Sequence, residues 1–145
     1  MSDFAAFLKS NKKEKPNEFF AACKDFVDAE GKPILWELRY IPTCVKNRIE
    51  DECTEVKSNG KVVSNMALFR KKLVAAAVVY PNLRNAELMD SYMKDYPLDQ
   101  RTPENLLELM IDDISEYNAL AQKVTEMMSI NPKEAENNIE TAKNS

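Results

Sequence analysis

The sequence predicts a mainly helical α+β protein, in which an N-terminal β-hairpin is followed by a bundle of about five to six helices. Three observations carry this prediction. From Ile34 to Ile41, residues alternate between two faces with the period of a strand. From Met66 onward, apolar residues recur at intervals of three and four, which is the period of a helix face. Both glycines of the chain lie where a turn between strands is needed.

The first hairpin is predicted around Gly31, which lies in a loop of about four to six residues. Its first strand lies within Phe19 to Val27, a segment rich in aromatic and β-forming residues. Its second strand has one face formed by Ile34, Trp36, Leu38 and Tyr40. The other, mostly polar face carries Leu35, Glu37, Arg39 and Ile41. This alternation predicts that Trp36 and Leu38 belong to the core.

A second, smaller hairpin is predicted at Asn59-Gly60, because Asn-Gly favours a tight turn between two strands. Its short and polar flanks are Thr54 to Lys57 and Lys61 to Ser64. Between the two hairpins, Thr43 is predicted to cap a helix from about Cys44 to Cys53.

Helices account for the second half of the chain. The first runs from Met66 to Pro81 and has an apolar face of Met66, Phe69, Leu73, Ala76, Ala77 and Tyr80. Asn85 caps a short helix that carries Leu88, Met89 and Tyr92. Thr102-Pro103 starts another, with Leu106, Leu107 and Met110. The inner side of a longer helix carries Ile114, Tyr117, Leu120, Ala121, Val124, Met127 and Met128.

The C-terminal segment is predicted to form one more helix. Asn131 to Glu134 resembles a capping box that opens a helix from about Pro132 to Thr141. Ile139 is its one large apolar residue, so this helix is exposed, mobile or waiting for a partner. We therefore divide the chain into a single domain, residues 1–130, and a C-terminal helical tail, residues 131–145.

Composition indicates a soluble globular protein of one domain, with 145 residues, 44% hydrophobic and 30% charged residues. The longest apolar run, Leu73 to Tyr80, is far shorter than the roughly 20 residues of a membrane span. The N-terminus lacks the basic and apolar regions of a signal peptide, so we expect a cytoplasmic protein. The three cysteines are an odd number without close spacing, which favours buried or idle thiols over disulfides or zinc.

Charge is distributed unevenly along the chain. Residues 1–85 carry 15 basic and 11 acidic side chains, whereas residues 86–145 carry 5 basic and 13 acidic ones. The two halves either attract each other, offer a basic and an acidic face to different partners, or are two solvated surfaces. The lysines and arginines of the basic half are diluted by acids and framed by no nucleic-acid-binding motif.

Catalytic patterns are nearly absent. The chain has no histidine, which excludes histidine-based acid–base catalysis and histidine–metal ligation. With two glycines it has no glycine-rich phosphate loop. Asp112, Asp113 and Glu116 could bind Mg²⁺ or Ca²⁺, but acids in the first turn of a helix more often pair with the helix dipole. Cys23 beside Lys24 is better interpreted as a packed cysteine than as a reactive thiol. We therefore assign no catalytic, cofactor-binding or metal-binding residue.

Several short motifs resemble one protein family. They are Gly31-Lys32-Pro33 followed by Trp36-Glu37-Leu38-Arg39, then Cys53-Thr54, Val79-Tyr80-Pro81-Asn82-Leu83, Glu87-Leu88-Met89-Asp90-Ser91-Tyr92 and Glu116-Tyr117-Asn118-Ala119-Leu120. Over about residues 3–130 this pattern is similar to that of the XkdN-like tail assembly chaperones of contractile-tailed phages, prophages and phage-tail-like particles. Met93 and Ser115 depart from it, because the family tends to have glycine at both positions. Both replacements favour helix.

The resemblance implies a non-enzymatic chaperone that uses no nucleotide and no other cofactor. Such proteins coat the tape-measure protein, keep its long helices soluble, help to recruit tail-tube subunits and leave before the tail is finished. The implied partners are the tape-measure protein, the tail-tube protein and further copies of the chain, without nucleic acid or membrane. The implied location is the cytoplasm of the bacterial host. The alternative function is that of a structural component of the particle, such as a tail-completion or connector protein.

A chaperone of this kind needs exposed apolar grooves that accept a partner helix. Our candidate partner-binding residues are Met127, Met128, Tyr117, Met89 and Tyr92. Methionines suit adaptable grooves, although these can also be ordinary core residues.

In several relatives a −1 ribosomal frameshift near the end of the short product adds a second domain. Ala142-Lys143-Asn144 can be encoded by a slippery heptamer, so the resemblance implies a longer product here as well.

Overall fold

In a computed structural model, residues 3–128 of the chain are described, and they form six α-helices and five short β-strands. The helices are α1 (Asp3–Ala6), α2 (Thr43–Glu52), α3 (Met66–Ala77), α4 (Ala86–Met93), α5 (Pro103–Met110) and α6 (Ile114–Met128). The strands are β1 (Glu18–Phe20), β2 (Trp36–Leu38), β3 (Thr54–Val56), β4 (Val62–Ser64) and β5 (Val78–Tyr80). The predicted mainly helical α+β class is therefore confirmed. The predicted last helix and the tail after residue 130 lie outside the described residues.

The N-terminal hairpin pairs β1 with β2 in antiparallel fashion, with Phe20 opposite Trp36. Gly31 has a φ of +81°, a conformation that residues with a Cβ rarely adopt, so this turn requires glycine. The carboxylate of Asp28 closes the turn by accepting hydrogen bonds from the amides of Glu30 (2.8 Å) and Lys32 (3.0 Å). The first strand is shorter than predicted and starts one residue earlier. The chain leaves the sheet after Phe20, and the next residues bury side chains in the core.

The end of α3 differs most from the prediction. The helix ends at Ala77 rather than at Pro81, and the next three residues form β5, which pairs antiparallel with β2. Two valines and a tyrosine favour a strand, and the second edge of β2 provides a partner for it. The three-stranded sheet therefore has the order β1-β2-β5. Tyr80, predicted to lie on the apolar helix face, is instead 55% exposed.

Side-chain caps explain where most helices begin. Asn85 accepts from the amide of Leu88 at 2.9 Å, and Thr102 accepts from the amide of Asn105 at 3.3 Å, so both predicted caps are confirmed. The prediction for Thr43 is wrong, because α2 begins at that residue and no side chain caps it. Asn65, which we did not predict as a cap, accepts from the amide of Leu68 at 3.1 Å.

The second hairpin, β3 with β4, is confirmed. Gly60 has a φ of +81° in its turn. The amide of Lys61 donates to the Asn59 side chain at 2.9 Å, which holds the turn. All three residues of β4 are exposed, so this hairpin lies at the surface.

The core is formed by buried side chains of β2 and of helices α2, α3, α4, α5 and α6. Its largest fully buried side chains are those of Trp36, Leu38, Met93, Leu106, Leu107 and Leu120. Burial of Trp36 and Leu38 confirms the predicted strand face. Met93 fills the core as the last residue of α4.

Three positions contradict the predicted faces. Ile41 was assigned to the mostly polar face but is buried, because β2 ends at Leu38 and its alternation ends with it. Met66 was assigned to the inner face of α3 but is exposed at the start of that helix. Ile114 was assigned to the inner face of α6 but is 77% exposed as its first residue.

Contacts between the basic and acidic halves are visible in the structure. Among residues 3–128, two ion pairs join them, Lys71 with Glu108 (3.2 Å) and Lys123 with Glu18 (2.9 Å). Both are partly exposed, so each contributes little to stability. Within the same range, no helix is long and apolar enough to cross a membrane.

Candidate partner-binding surface

The five candidates from the sequence are half-buried residues that pack against the core from two helices. Met89 and Tyr92 lie on α4, and Tyr117, Met127 and Met128 lie on α6. Met127 and Met128 are neighbours at the end of α6. Tyr92 and Tyr117 have different titratable neighbours.

The phenol of Tyr92 has its pKa raised by burial and, to a smaller extent, by the nearby Cys23 and Asp112. Burial also raises the pKa of Tyr117, where Glu108 adds to the effect and Arg70 opposes it. Both phenols are therefore protonated at neutral pH. The two rings therefore have different titratable neighbours.

The hydroxyl of Tyr117 is an unpaired polar group. Its oxygen is buried, and within the described part of the chain it has no hydrogen-bond partner. An unpaired buried hydroxyl costs free energy, because it loses its bonds to water without replacement. The oxygen of Tyr117 is also out of reach of a partner at the surface.

Large exposed apolar side chains also occur outside α4 and α6, and they were not among the residues predicted from the sequence. One group, which we call the N-terminal apolar segment, consists of Phe4, Phe7 and Leu8, of which Phe7 is 87% exposed. Phe4 lies in α1, whereas Phe7 and Leu8 follow the end of that helix. No residue of α1 is buried.

A second exposed group lies on the outer face of the three-stranded sheet. Phe19 is paired with Glu37, and Glu37 is paired with Tyr80, so the three side chains form one row across the strands. Phe19 is 64% exposed. This row was not predictable without knowing that β5 is a strand. Together with the N-terminal apolar segment, it adds to the exposed apolar surface of the described residues.

Asp113 and Glu116, two of the acidic residues at the start of α6, make different contacts. Asp113 accepts from the amides of Ser115 (2.9 Å) and Glu116 (3.3 Å), so it satisfies amides that the helix start leaves free. Its pKa is lowered, chiefly by the hydrogen bond from the Ser115 hydroxyl. Glu116 points away and accepts from the amide of Lys24 at 2.8 Å. The helix-start interpretation therefore explains Asp113, whereas Glu116 connects α6 to the segment after β1.

Cys23 is the buried thiol nearest to these acids. Its Sγ lies 3.7 Å from an oxygen of Glu116 and 3.9 Å from an oxygen of Asp25. Burial, more than any other cause, raises its pKa, so the thiol is protonated at neutral pH and is a poor nucleophile. These contacts tie the segment after β1 to the start of α6. The arrangement is suited to holding the fold together.

Comparisons with known proteins give a family and a fold. Residues 4–143 match the family model described as phage XkdN-like tail assembly chaperone protein. No curated protein sequence matches the chain significantly. Among solved structures, the crystal structure of the protein YqbN is similar, with a TM-score of 0.72 and 18% sequence identity, over 90% of this chain and 99% of that one. At this identity the likeness is one of fold.

Proposed function

The chain belongs to the phage XkdN-like tail assembly chaperone family, and on that premise we propose that it is a non-enzymatic chaperone that binds the tape-measure protein and assists assembly of the tail tube. The observation that carries the proposal is the family match over nearly the whole chain. The tail-tube protein is the second partner in this proposal. The site of action is the cytoplasm of the bacterial host, before a contractile tail is complete.

The exposed apolar residues support this function. A long helical protein without its final partners presents an apolar stripe, and a chaperone that covers the stripe needs apolar side chains free to contact it. The N-terminal apolar segment and the Phe19–Tyr80 row meet this requirement. Met127, Met128, Tyr117, Met89 and Tyr92 are half-buried, so in the proposal they contribute at the margins of a contact.

Several copies are expected to act on one tape-measure molecule. A long helix offers many equivalent lengths of apolar stripe, and contacts between neighbouring copies would make the coat cooperative. Self-association is therefore part of the proposal. Light scattering should detect species larger than a monomer when the chain is mixed with tape-measure fragments, and a strict monomer at high concentration would contradict this part.

Co-expression with the cognate tape-measure protein tests the central claim. The expected result is that the tape-measure protein stays soluble and is recovered with the chain in a pull-down. The double change Phe4→Ser with Phe7→Ser should reduce the soluble fraction, because it removes two exposed apolar contacts without touching the core. Ile114→Ser is the control, since it removes a large apolar side chain that is also 77% exposed but lies at the start of α6.

If the tape-measure protein precipitates to the same extent with and without the chain, the chaperone proposal is wrong. The alternative, a structural component such as a tail-completion or connector protein, then predicts that the chain is present in finished particles. Mass spectrometry of purified particles distinguishes the two functions, because the chaperone is expected to be absent from them.

A further inference from the structure

Arg39 links two cavities on the surface of the described chain. Its backbone amide donates to the carbonyl of Ala77 and its Nε donates to the carbonyl of Ala76, both at 2.8 Å. These two bonds fix the guanidinium at the end of α3. The same side chain lines a cleft on one side and a longer groove on the other. The half-buried guanidinium of Arg39 is therefore fixed in place where it contributes positive charge to both the cleft and the groove.

The cleft has a volume of about 320 Å³ and is bounded by α2, the end of α3 and the turn after β5. Arg48 and Arg84 line it together with Arg39, and among residues 3–128 neither Arg48 nor Arg84 forms an ion pair. Lys72 also lines it but is paired with Glu52 at 3.3 Å. The remaining acid is Glu104. The cleft therefore has an excess of positive charge carried by arginines.

The groove has a volume of about 630 Å³ and is more basic still. Four lysines line it against one acid, Glu14; they are Lys9, Lys12, Lys13 and Lys15. Tyr40 provides aromatic surface, and the Nζ of Lys15 lies 4.6 Å from the centre of its ring. Cleft and groove together form what we call the basic tract.

We infer that the basic tract binds an acidic segment of a polypeptide, whose carboxylates pair with Arg39, Arg48 and Arg84. The planar guanidinium forms two parallel hydrogen bonds with a carboxylate, which makes arginine the suitable cation for such a contact. Arg39 needs little ordering to bind, because its bonds to α3 already hold it. The lysines of the groove add attraction at longer range.

The acids within the tract favour a polypeptide over a nucleic acid. Glu14, Glu52 and Glu104 lie among the cations, and a nucleic acid with a charge on every phosphate would meet them unfavourably. A peptide can place carboxylates opposite the arginines and neutral residues opposite the glutamates. That this peptide belongs to an assembly partner rests on the proposed function, whereas the carboxylate site itself does not.

Peptide binding to the full chain tests the site directly. The probe is a fluorescein-labelled, alanine-based peptide with several glutamates, and the matched probe has glutamine at the same positions. Fluorescence anisotropy should give at least about tenfold tighter binding of the glutamate peptide at low salt. A labelled oligo-dT strand is the third probe. Equal affinity for the two peptides, or tighter binding of oligo-dT, would overturn the inference.

A matched pair of double variants locates the site. Arg48→Glu with Arg84→Glu should weaken binding of the glutamate peptide at least about tenfold. Lys57→Glu with Lys61→Glu changes the net charge equally at the tip of the β3–β4 hairpin, outside both cavities, and should have little effect. Equal weakening by both pairs would mean attraction to net charge alone and would refute the site.

Folding of the variants is checked by thermal melts. Arg48 and Arg84 are exposed and unpaired among the described residues, so their replacement removes no ion pair of the fold. If the glutamate pair does melt early, Arg48→Gln with Arg84→Gln removes the same charges without adding acids and should still weaken peptide binding. If a folded Arg48/Arg84 variant still binds the glutamate peptide, the site is refuted. This holds even if the unaltered chain keeps the tape-measure protein soluble. If the folded variant no longer binds the glutamate peptide, the site is supported. This holds even if the co-expression test of the proposed function fails.

Discussion

Replacing Trp36 by alanine should destabilise the protein more than any other single change in the sheet. Trp36 is 1% exposed, and its ring lies 6.3 Å from that of Phe26, centre to centre, at a tilted angle of 49°. Its removal therefore leaves a cavity that the surrounding structure can fill only in part.

The size of the effect follows from the area that is buried. Burial of an aromatic side chain removes about 150–250 Å² from water, which at about 25 cal/mol/Å² corresponds to roughly 4–6 kcal/mol. Residual compactness of the unfolded chain lowers this by about 10–40%. We therefore expect Trp36→Ala to reduce the free energy of unfolding by about 3–5 kcal/mol, the range typical of such truncations.

Urea denaturation followed by far-UV circular dichroism is the suitable assay, because Trp36 is the only tryptophan and its fluorescence is lost in the variant. The matched control is Phe19→Ala. Phe19 lies on the neighbouring strand but points to the outer face, so this change should cost less than about 1 kcal/mol. A loss below about 1 kcal/mol for Trp36→Ala would show that the inner face of the sheet is not the core.

Three further predictions concern single side chains. Tyr117→Phe should leave the free energy of unfolding unchanged or raise it by up to about 1 kcal/mol, because the deleted hydroxyl is buried without a partner; a thermal melt checks this, and a clear loss of stability would mean that the hydroxyl is bonded. The folded-state pKa of Asp113 is lowered, so its contribution to stability is present above the unfolded pKa and is lost as pH falls through the folded one. The difference in Tm between the wild type and Asp113→Ala should therefore shrink from neutral pH to strongly acidic pH, and a constant difference would contradict the assignment. Cys44 is exposed whereas Cys23 and Cys53 are buried with raised pKa values, so Ellman's reagent should label one thiol rapidly in the native protein and all three in denaturant; rapid labelling of three native thiols would contradict the burial.

The sequence predicted best the features that depend on a few neighbouring residues. The caps at Asn85 and Thr102 and the turns at Gly31 and Gly60 each follow from local backbone geometry, and all four are present. Burial of Trp36 followed from the alternation along its own strand. These predictions required no knowledge of distant contacts.

Features that depend on distant pairing were missed. The run from Val78 to Tyr80 is apolar and continuous with α3, so periodicity alone could not separate helix from strand. The free edge of β2, about forty residues earlier in the chain, decides in favour of a strand. The same pairing creates the exposed row that includes Tyr80, which explains why this part of the candidate surface was not predicted.

The candidate residues on α4 and α6 illustrate a related limit. A methionine or tyrosine on a helix face is compatible with core and with partner contact, and only the arrangement of the neighbouring helices determines its exposure. Ile114, for example, is exposed as the first residue of α6. The cations of the basic tract were each visible in the sequence, but their convergence around Arg39 depends on the fold.

The β3–β4 hairpin is set apart from the rest of the described chain in its hydrogen bonding. Its two strands of three residues pair with each other and not with the three-stranded sheet. The hairpin buries little apolar surface, so opening it costs little free energy. Its amides should therefore exchange with deuterium well before those of β2. Local opening at this site leaves the core closed. The turn at Asn59-Gly60 is thus a natural point for inserting a fluorescent tag, and assembly in cells could be followed there without disturbing the sheet.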